Sequence, residues 1–196
     1  MKIIGVTGGV GAGKSEVLSY IEKTYGAKTI RLDDVARDLQ EPGGLLHPAM
    51  IMLCGRDKVL PDGRLDRPAI ARMIYEDPTL RHRINGLVHP AVKNKTRKLL
   101  DQFNAEGCPY VFIEAALLIE DHYDEICDEL WYIYADKAVR RERLKASRGY
   151  DDKKITAIMH SQAGDMTFRA HADVVIDNSG AFEETARQID KRLIIT

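Results

Sequence analysis

An apolar run that leads directly into a glycine-rich segment constrains the fold of this chain more than any other sequence feature. Residues 3–6 are typical of a buried strand, and residues 8–15, GGVGAGKS, fit the pattern G-x-x-x-x-G-K-[ST] at every fixed position. Glycines let such a loop turn tightly and direct its N–H groups at phosphate oxygens, and the helix that follows adds the positive end of its dipole. The sequence therefore predicts a strand, a loop that binds a nucleoside triphosphate, and a helix. An incidental glycine-rich turn is the alternative.

The residue types in this loop each have a task in phosphate binding. Lys14 is expected to reach the β- and γ-phosphates of ATP, and the Ser15 hydroxyl is the expected ligand of Mg²⁺, which needs only one or two protein oxygens. The expected nucleotide contacts are Gly11, Ala12, Gly13, Lys14, Ser15 and Glu16. The loop thus predicts an ATP site, with Mg²⁺ bound together with the nucleotide as the only metal.

The composition is that of an ordinary globular protein. The chain has 196 residues, 44% of them hydrophobic and 30% charged, which suits one sizeable core with a small inserted subdomain. No apolar stretch approaches the ~20 residues that a membrane helix needs, and residues 1–5 offer no secretory signal. The three cysteines are widely separated and form no C-x-x-C pair, which argues against a disulfide framework or a zinc site. We therefore expect a cytoplasmic protein that does not bind a membrane.

Two basic stretches interrupt a chain whose net charge is −1. Residues 81–98 hold six lysines and arginines and no carboxylate, and residues 137–148 hold six such cations against Glu142 alone. The near-neutral isoelectric point and the lack of interleaved aromatic residues argue against nucleic acid as a partner, so small phosphorylated ligands are favoured. A solvated helix face is the alternative interpretation for about half of these side chains.

Strand-like and helix-like segments alternate along the chain. Strands are predicted at residues 3–6, 28–32, 110–113, 130–134 and 174–176, and helices at 15–25, from 33 onwards, 67–75, 80–100 with an interruption at Pro90, 136–147, 151–162 and at the C-terminus. Asp66 and Asp136 are the expected N-caps of the helices that follow them. This alternation predicts an α/β fold with a parallel sheet, helices on both faces, and a ligand at the carboxyl ends of the strands.

Two carboxylates near the predicted strand ends are candidates for the chemistry. Asp33 follows the second strand, where it is placed to orient an attacking hydroxyl or to accept its proton. The alternative is that Asp33 or Asp34 only caps the next helix. Glu114 ends the third strand, where it is placed to touch the Mg²⁺ shell, and a structural hydrogen bond is the other interpretation.

Arginines of the second basic stretch are candidates for contact with the transferred phosphoryl group. Arg140, Arg143 and Arg148 flank a helix end and a turn that are expected to form a mobile lid. A guanidinium suits this task because its planar fork matches phosphate oxygens and its charge persists. We take Arg140 as the catalytic candidate among the three.

Five sequence elements, in order, resemble those of the dephospho-CoA kinase family, and the resemblance covers residues 3–193. The elements are T-G-G-x-G-x-G-K-S at residues 7–15, D-x-x-A-R at residues 33–37, H-P at residues 89–90, L-L-x-E at residues 117–120, and Gln162 followed by A-D-x-V-I-x-N-x-G at residues 172–180. The first of these strings is more restricted than the general phosphate-binding loop.

The resemblance implies a three-layer P-loop NTPase fold of the nucleotide-kinase type, with an inserted helical substrate domain and a lid. The implied bounds are 1–33, 108–139 and 164–196 for the core, 34–107 for the insertion and 140–163 for the lid. The implied reaction transfers the γ-phosphoryl group of ATP to the ribose 3′-hydroxyl of dephospho-CoA, which is the last step of coenzyme A biosynthesis. A monomer or weak homo-oligomer is expected.

The same resemblance implies roles for residues outside the loop. Asp33 becomes the base or the group that orients the hydroxyl, while Arg37, His89 and residues 81–98 lie on the substrate side. For His89 alone, a hydrogen-bonded histidine at a helix end is the alternative.

A few positions depart from the family pattern. They are Arg31, where many members have an acid two residues before Asp33, Glu16 in place of a commoner threonine, Ala116 in place of a frequent proline, and one extra residue between Arg143 and Arg148. These departures bear most on the lid.

Two other classes of protein also contain a phosphate-binding loop of this kind. Another small-molecule P-loop kinase, acting on a nucleoside, a nucleotide or a sugar acid, predicts the same ATP site and is the alternative function. A GTPase is disfavoured because residues 94–97, NKTR, end in the wrong charge for the guanine-reading pattern N-K-x-D.

Overall fold

The computed structural model describes residues 1–115, 118, 123 and 125–193, and it divides into two compact units. The first unit contains Met1–Thr29 and Phe103–Thr196, and the second contains Ile30–Gln102. Each unit has its own cluster of buried apolar side chains. The finer division into a core, an insertion and a lid stays a prediction.

Five strands of the described residues form one sheet. They are β1 (Lys2–Thr7), β2 (Lys28–Arg31), β3 (Tyr110–Glu114), β4 (Glu129–Tyr134) and β5 (Val174–Asp177), in the order β2-β3-β1-β4-β5. β1 pairs in parallel with both β3 and β4, and β4 pairs in parallel with β5. At the centre, Val6 lies opposite Glu114 of β3 and Trp131 of β4. The predicted α/β fold with a parallel sheet is therefore confirmed, and the carboxyl ends of these strands share one edge.

Helices lie between β1 and β2, between β2 and β3, and between β4 and β5, as is usual for parallel strands. Within the described ranges they are α1 (Lys14–Tyr25), α2 (Leu32–Gln40), α3 (His47–Cys54), α4 (Arg67–Glu76), α5 (Pro78–Ala105), α6 (Lys137–Arg148), α7 (Asp152–His160), α8 (Asp165–His171) and α9 (Phe182–Asp190). α8 was not expected from the sequence, because its 7 residues bury only Phe168. So short a segment carries too few apolar residues to produce a helical repeat.

The core of the first unit forms around the central strands. Ile4, Phe112 and Trp131 have no exposed surface, and the rings of Phe112 and Trp131 meet edge to face at 5.6 Å. Leu18 and Ile21 of α1 belong to the same cluster, as their helical spacing predicts. Because β1 and α1 both pack into this core, the loop between them is held at both ends.

The second unit is a helical body built from α2 to α5. Met50 of α3 and Ile84 of α5 are buried in its core, and Leu39 of α2 packs against them. Asp66 caps α4 as predicted, since its carboxylate accepts a hydrogen bond from the Ala69 N–H at 3.0 Å. α2 is therefore anchored to the rest of this unit through its apolar face.

The predicted interruption at Pro90 is wrong, because α5 runs unbroken from Pro78 to Ala105. An internal proline removes one N–H donor and its ring crowds the carbonyl four residues earlier, at a cost of about 3 kcal/mol. Ile84 and Val92 on the two sides of Pro90 are both buried. Packing of both halves of the helix therefore offsets the local cost.

Asp136 occupies the N-cap position of α6, but its side chain makes no capping hydrogen bond, contrary to the prediction. Its carboxylate instead accepts the Tyr134 hydroxyl at 2.5 Å, and its N–H donates to Ser179 Oγ at 3.0 Å. Neighbours at the ends of β4 and β5 thus compete successfully with the local capping preference.

Most element ends differ from the predicted bounds by a few residues, and two of these differences bear on the candidate site. Leu32 was expected to finish the second strand, but β2 ends at Arg31 and Leu32 begins α2. α7 ends at His160 rather than at Gln162. Gln162 consequently lies beyond the helix, where its side chain can serve the phosphate-binding loop.

Candidate functional site

The loop between β1 and α1 turns through glycines in the left-handed region. Gly8, Gly11 and Gly13 have φ angles of 150°, 79° and 89°. A Cβ atom at Gly8 would lie 2.5 Å from the Ile133 carbonyl oxygen, and one at Gly13 would lie 2.2 Å from Asn178 Nδ2. The loop is therefore packed tightly against the carboxyl ends of β4 and β5, which requires glycine at both positions.

Several main-chain amides of this loop are unpaired. Within the described residues, the N–H groups of Gly11, Gly13, Lys14 and Ser15 have no hydrogen-bond acceptor. Three of these four belong to the N-cap and first turn of α1, where the helix dipole is positive. Main-chain N–H groups in this arrangement are chemically suited to a polyanion such as a phosphate chain.

The side chain of Lys14 reaches back to the start of the loop. Its Nζ donates to the Gly8 carbonyl oxygen at 2.9 Å and lies 3.4 Å from Glu114 Oε1. Both side chains are largely buried, with exposed fractions of 15% for Lys14 and 19% for Glu114. Glu114 therefore holds the lysine at the loop. This ion pair is a structural contact, which was one of the two interpretations of Glu114 from the sequence.

Arg140 contacts the main chain of the loop. Its Nε donates to the Val10 carbonyl oxygen at 2.8 Å, and one terminal nitrogen lies 3.3 Å from Gln162 Oε1. The same Gln162 oxygen accepts the Val10 N–H at 2.9 Å. Burial lowers the pKa of Arg140 below its usual value, since water no longer solvates the charge fully. The Val10 peptide unit is thus held on both sides by residues from the predicted lid.

The other two arginines differ in their positions. Arg143 reaches the Ala12 carbonyl oxygen at 3.4 Å. Arg148 is exposed at the end of α6, with its guanidinium carbon 5.9 Å from the centre of the Tyr150 ring. The structure therefore brings Arg140 and Arg143 to the phosphate-binding loop and leaves Arg148 at the surface.

Sequence reasoning assigned no role to the side chain of Asn178, although it matched the residue to a family motif. Asn178 is fully buried immediately after β5, and its Nδ2 donates to the Ala12 carbonyl oxygen at 2.8 Å. Its Oδ1 accepts the hydroxyl of Thr185, itself fully buried, at 2.9 Å. The position of an asparagine directly after an apolar strand was the available signal.

A cavity of about 610 Å³ opens beside Arg140. Its lining includes Tyr132, His160, Gln162 and Asp165. Burial and a hydrogen bond to Asp165 raise the pKa of Tyr132. The Tyr132 hydroxyl therefore remains protonated near neutral pH and donates to the Asp165 carboxylate.

Three predicted site residues belong to the second unit. Asp33 is exposed in the first turn of α2, and Arg37, one turn later, forms an ion pair with Asp34 at 3.0 Å. The N-cap position of α2 is Arg31, without a side-chain capping bond. The capping alternative for Asp33 and Asp34 is therefore wrong. His89 is exposed in the middle of α5 rather than at a helix end.

One family element falls largely outside the described residues. Of the L-L-x-E string, only Leu118 is described, and it is fully buried in the first unit. Leu117, Ile119, Glu120 and the preceding Ala116 lie outside the described ranges.

The fold and the site together define a class of protein. A parallel sheet in the order β2-β3-β1-β4-β5, with a lysine-bearing phosphate-binding loop between its first strand and first helix, is that of a P-loop kinase. No helix of the described residues is both long and apolar enough to cross a membrane.

Comparisons with known proteins identify the family within that class. A family model described as dephospho-CoA kinase matches residues 2–184. Dephospho-CoA kinases of Geobacter sulfurreducens and Symbiobacterium thermophilum are 34% and 33% identical to this chain. Each alignment covers 97% of the chain, together with 96% of the first relative and 79% of the second. The chain belongs to the dephospho-CoA kinase family and is a kinase of coenzyme A biosynthesis.

A solved structure agrees at the level of the fold. The dephospho-CoA kinase from Campylobacter jejuni superposes with a TM-score of 0.72 and 18% sequence identity. The match covers 98% of this chain and 96% of that protein. The shared architecture therefore extends over both units of the chain.

Proposed function

We propose that this protein transfers the γ-phosphoryl group of ATP to the 3′-hydroxyl of the ribose of dephospho-CoA, which yields CoA and ADP. The observation that carries the proposal is the loop at residues 8–15, whose unpaired amides cluster at the start of α1 beside Lys14. Membership of the dephospho-CoA kinase family supports the choice of acceptor. A cytoplasmic location and a monomer or weak homo-oligomer stay predictions.

Lys14 and Arg140 are our candidates for stabilising the transferred phosphoryl group. Lys14 Nζ already lies at the loop, and a phosphate oxygen would take the place of the Gly8 carbonyl as its acceptor. Arg140 brings a positive charge to the Val10 side of the loop. Fixed positive charge in a partly desolvated site stabilises the charge that develops on the phosphoryl oxygens.

The residues beside the loop fit Mg²⁺ bound together with ATP. The Ser15 hydroxyl is exposed in the first turn of α1, and the Glu114 carboxylate lies next to Lys14 at the end of β3. When bound, Mg²⁺ neutralises phosphate charge and orients the nucleotide. The described residues contain no group of three or more His, Cys, Asp or Glu side chains that could hold a metal ion alone.

The second unit supplies our candidates for the acceptor side. We assign Asp33 to orient the 3′-hydroxyl and to accept its proton, because its carboxylate is exposed and does not cap α2. Arg37 and His89 are assigned to the phosphates of dephospho-CoA. Residues 81–98 add exposed positive charge along α5 for the same purpose.

An acceptor assay tests the proposed function directly. The purified full-length chain is incubated with ATP, Mg²⁺ and dephospho-CoA, and CoA and ADP are quantified by chromatography and mass spectrometry. We expect CoA and ADP in equal amounts, and we expect Lys14→Ala to abolish both. A panel with a nucleoside, a nucleotide and gluconate in place of dephospho-CoA is the control. Product from one of these acceptors alone would overturn the proposal.

A further inference from the structure

Two carbonyl groups of the phosphate-binding loop are held by side chains from later parts of the chain. The Val10 carbonyl accepts from Arg140 Nε at 2.8 Å, and the Ala12 carbonyl accepts from Asn178 Nδ2 at 2.8 Å. In a trans peptide unit, the C=O of one residue and the N–H of the next point in opposite directions. Anchoring these two carbonyls to the protein therefore directs the N–H groups of Gly11 and Gly13 to the other side, where both are unpaired.

The Asn178 anchor is buried and has one permitted orientation. Asn178 and Thr185 are each 0% exposed, and the Thr185 hydroxyl lies 2.9 Å from Asn178 Oδ1. The Ala12 carbonyl can only accept a hydrogen bond, so the amide must present Nδ2 to it and Oδ1 to the Thr185 hydroxyl, which also lies 3.2 Å from the Asp177 carbonyl oxygen. The main-chain N–H of Asn178 donates to the Tyr134 carbonyl oxygen at 2.8 Å, which fixes its backbone to β4.

The amide of Asn178 packs closely against Gly13. A Cβ atom on Gly13 would lie 2.2 Å from Asn178 Nδ2, so the two residues are in direct contact. Arg143 also approaches the Ala12 carbonyl, but at 3.4 Å and from a half-buried position. Asn178 therefore makes the shorter and better shielded of the two hydrogen bonds to this carbonyl.

We propose that Asn178 is a positioning residue for nucleotide binding: held by Thr185, it turns the Ala12–Gly13 peptide so that the Gly13 N–H faces the phosphate chain. The proposal rests on the proposed function in one respect, namely that the loop binds ATP. It does not depend on the identity of the acceptor, because the Asn178 contact lies entirely within the first unit.

Three variants of the full chain test the proposal, with ADP as the probe in calorimetric titrations. Asn178→Leu keeps the shape of the side chain but removes the donor to Ala12. Thr185→Val removes the hydroxyl that orients the amide, and Thr185→Ser retains it. Without its anchor, the Gly13 N–H should lose its hydrogen bond to the charged phosphate. The typical strength of such a bond predicts that Asn178→Leu weakens ADP binding about 10- to 100-fold. We expect a smaller loss for Thr185→Val and wild-type affinity for Thr185→Ser.

A second measurement separates positioning from stability. Thermal unfolding is followed for each variant, and titrations use only temperatures at which circular dichroism shows the variant to be folded. A lowered melting temperature with unchanged ADP affinity in Asn178→Leu and Thr185→Val would overturn the proposal. If Asn178→Leu does not fold, the difference in ADP affinity between Thr185→Val and Thr185→Ser tests the proposal. Nucleotide binding without CoA formation by the wild type would refute the acceptor assignment and leave this inference standing.

Discussion

At the scale of single residues, the absence of a side chain shapes the nucleotide site. Gly13 combines a φ of 89° with a gap too small for a Cβ atom, since Asn178 Nδ2 would lie 2.2 Å away. Gly26, at the end of α1, has a φ of 62°, but nothing lies within 4 Å of the added atom. The two glycines therefore share the backbone requirement and differ in the packing requirement.

This difference predicts unequal effects of alanine. Gly13→Ala and Gly26→Ala both incur about 1–2 kcal/mol of left-handed backbone strain, but only Gly13→Ala must also displace the Asn178 amide. We expect Gly13→Ala to weaken ADP binding more than tenfold in calorimetric titrations, and Gly26→Ala to leave it unchanged. Equal ADP affinities for the two variants would contradict the packing argument.

Asp33 is the residue on which the proposed phosphoryl transfer depends most. Asp33→Asn keeps the size of the side chain but removes the proton acceptor, so turnover should fall by roughly 10²–10⁴-fold. Nucleotide binding should stay near the wild-type value, because the Asp33 carboxylate is assigned to the acceptor hydroxyl and not to the nucleotide. Steady-state kinetics with dephospho-CoA and an ADP titration measure the two effects.

Asp34→Asn is the matched control for this experiment. Asp34 forms an exposed ion pair with Arg37 at 3.0 Å, and such pairs contribute little to stability. We expect near-normal turnover for Asp34→Asn. If Asp33→Asn also turned over normally, Asp33 would have no part in the chemistry.

At the scale of elements, capping shows how local signals succeed or fail. Asp66 caps α4 through the Ala69 N–H, and Asp151 caps α7 through the Lys154 N–H at 2.7 Å. Asp136 stands in the same position before α6 but bonds to Tyr134 instead. Among these three aspartates, the capping hydrogen bond therefore forms only where no residue of a neighbouring strand offers the carboxylate another partner.

The cap of α4 gives a stability prediction. Asp66→Ala should lower the free energy of unfolding by about 1 kcal/mol, because the Ala69 N–H loses its acceptor. Asp66→Asn retains a side-chain oxygen at this position and should cost much less. Urea denaturation of both variants, followed by far-ultraviolet circular dichroism, measures the difference. Equal losses for alanine and asparagine would show that the charge, rather than the capping bond, stabilises the helix.

At the scale of the whole molecule, the chain consists of two units with separate apolar cores, and the phosphate-binding loop belongs to the unit that contains most of the sheet. Trp131 is the single tryptophan of the sequence, and it lies fully buried in that unit. Its fluorescence is therefore a specific signal for the unfolding of the part that binds nucleotide.

Nucleotide should stabilise this unit by mass action. At a free ADP concentration of 100 times the dissociation constant, the free energy of unfolding rises by about 2.7 kcal/mol. We expect the thermal transition reported by Trp131 to move upward with ADP, and Lys14→Ala to lose most of this shift. An unshifted transition in the wild type at saturating ADP would argue against binding at the loop.

The sequence alone was sufficient for features that depend on local spacing. The glycine-rich loop between a strand and a helix, and the alternation of strands and helices, could be predicted because each signal lies within a few neighbouring residues. The capping of α4 by Asp66 belongs to the same group. The roles of Asp33, Arg37 and His89 stay predictions.

Tertiary structure decided everything that joins distant parts of the chain. Gln162 reaches Val10 across 152 positions and Asn178 reaches Ala12 across 166, and no local pattern encodes such pairings. The unbroken helix at Pro90 also depends on distant parts of the chain, since the burial of both halves of α5 outweighs a local cost of about 3 kcal/mol. The sequence by itself thus determined that a glycine-rich loop joins β1 to α1, and the fold determined which side chains hold its carbonyl groups.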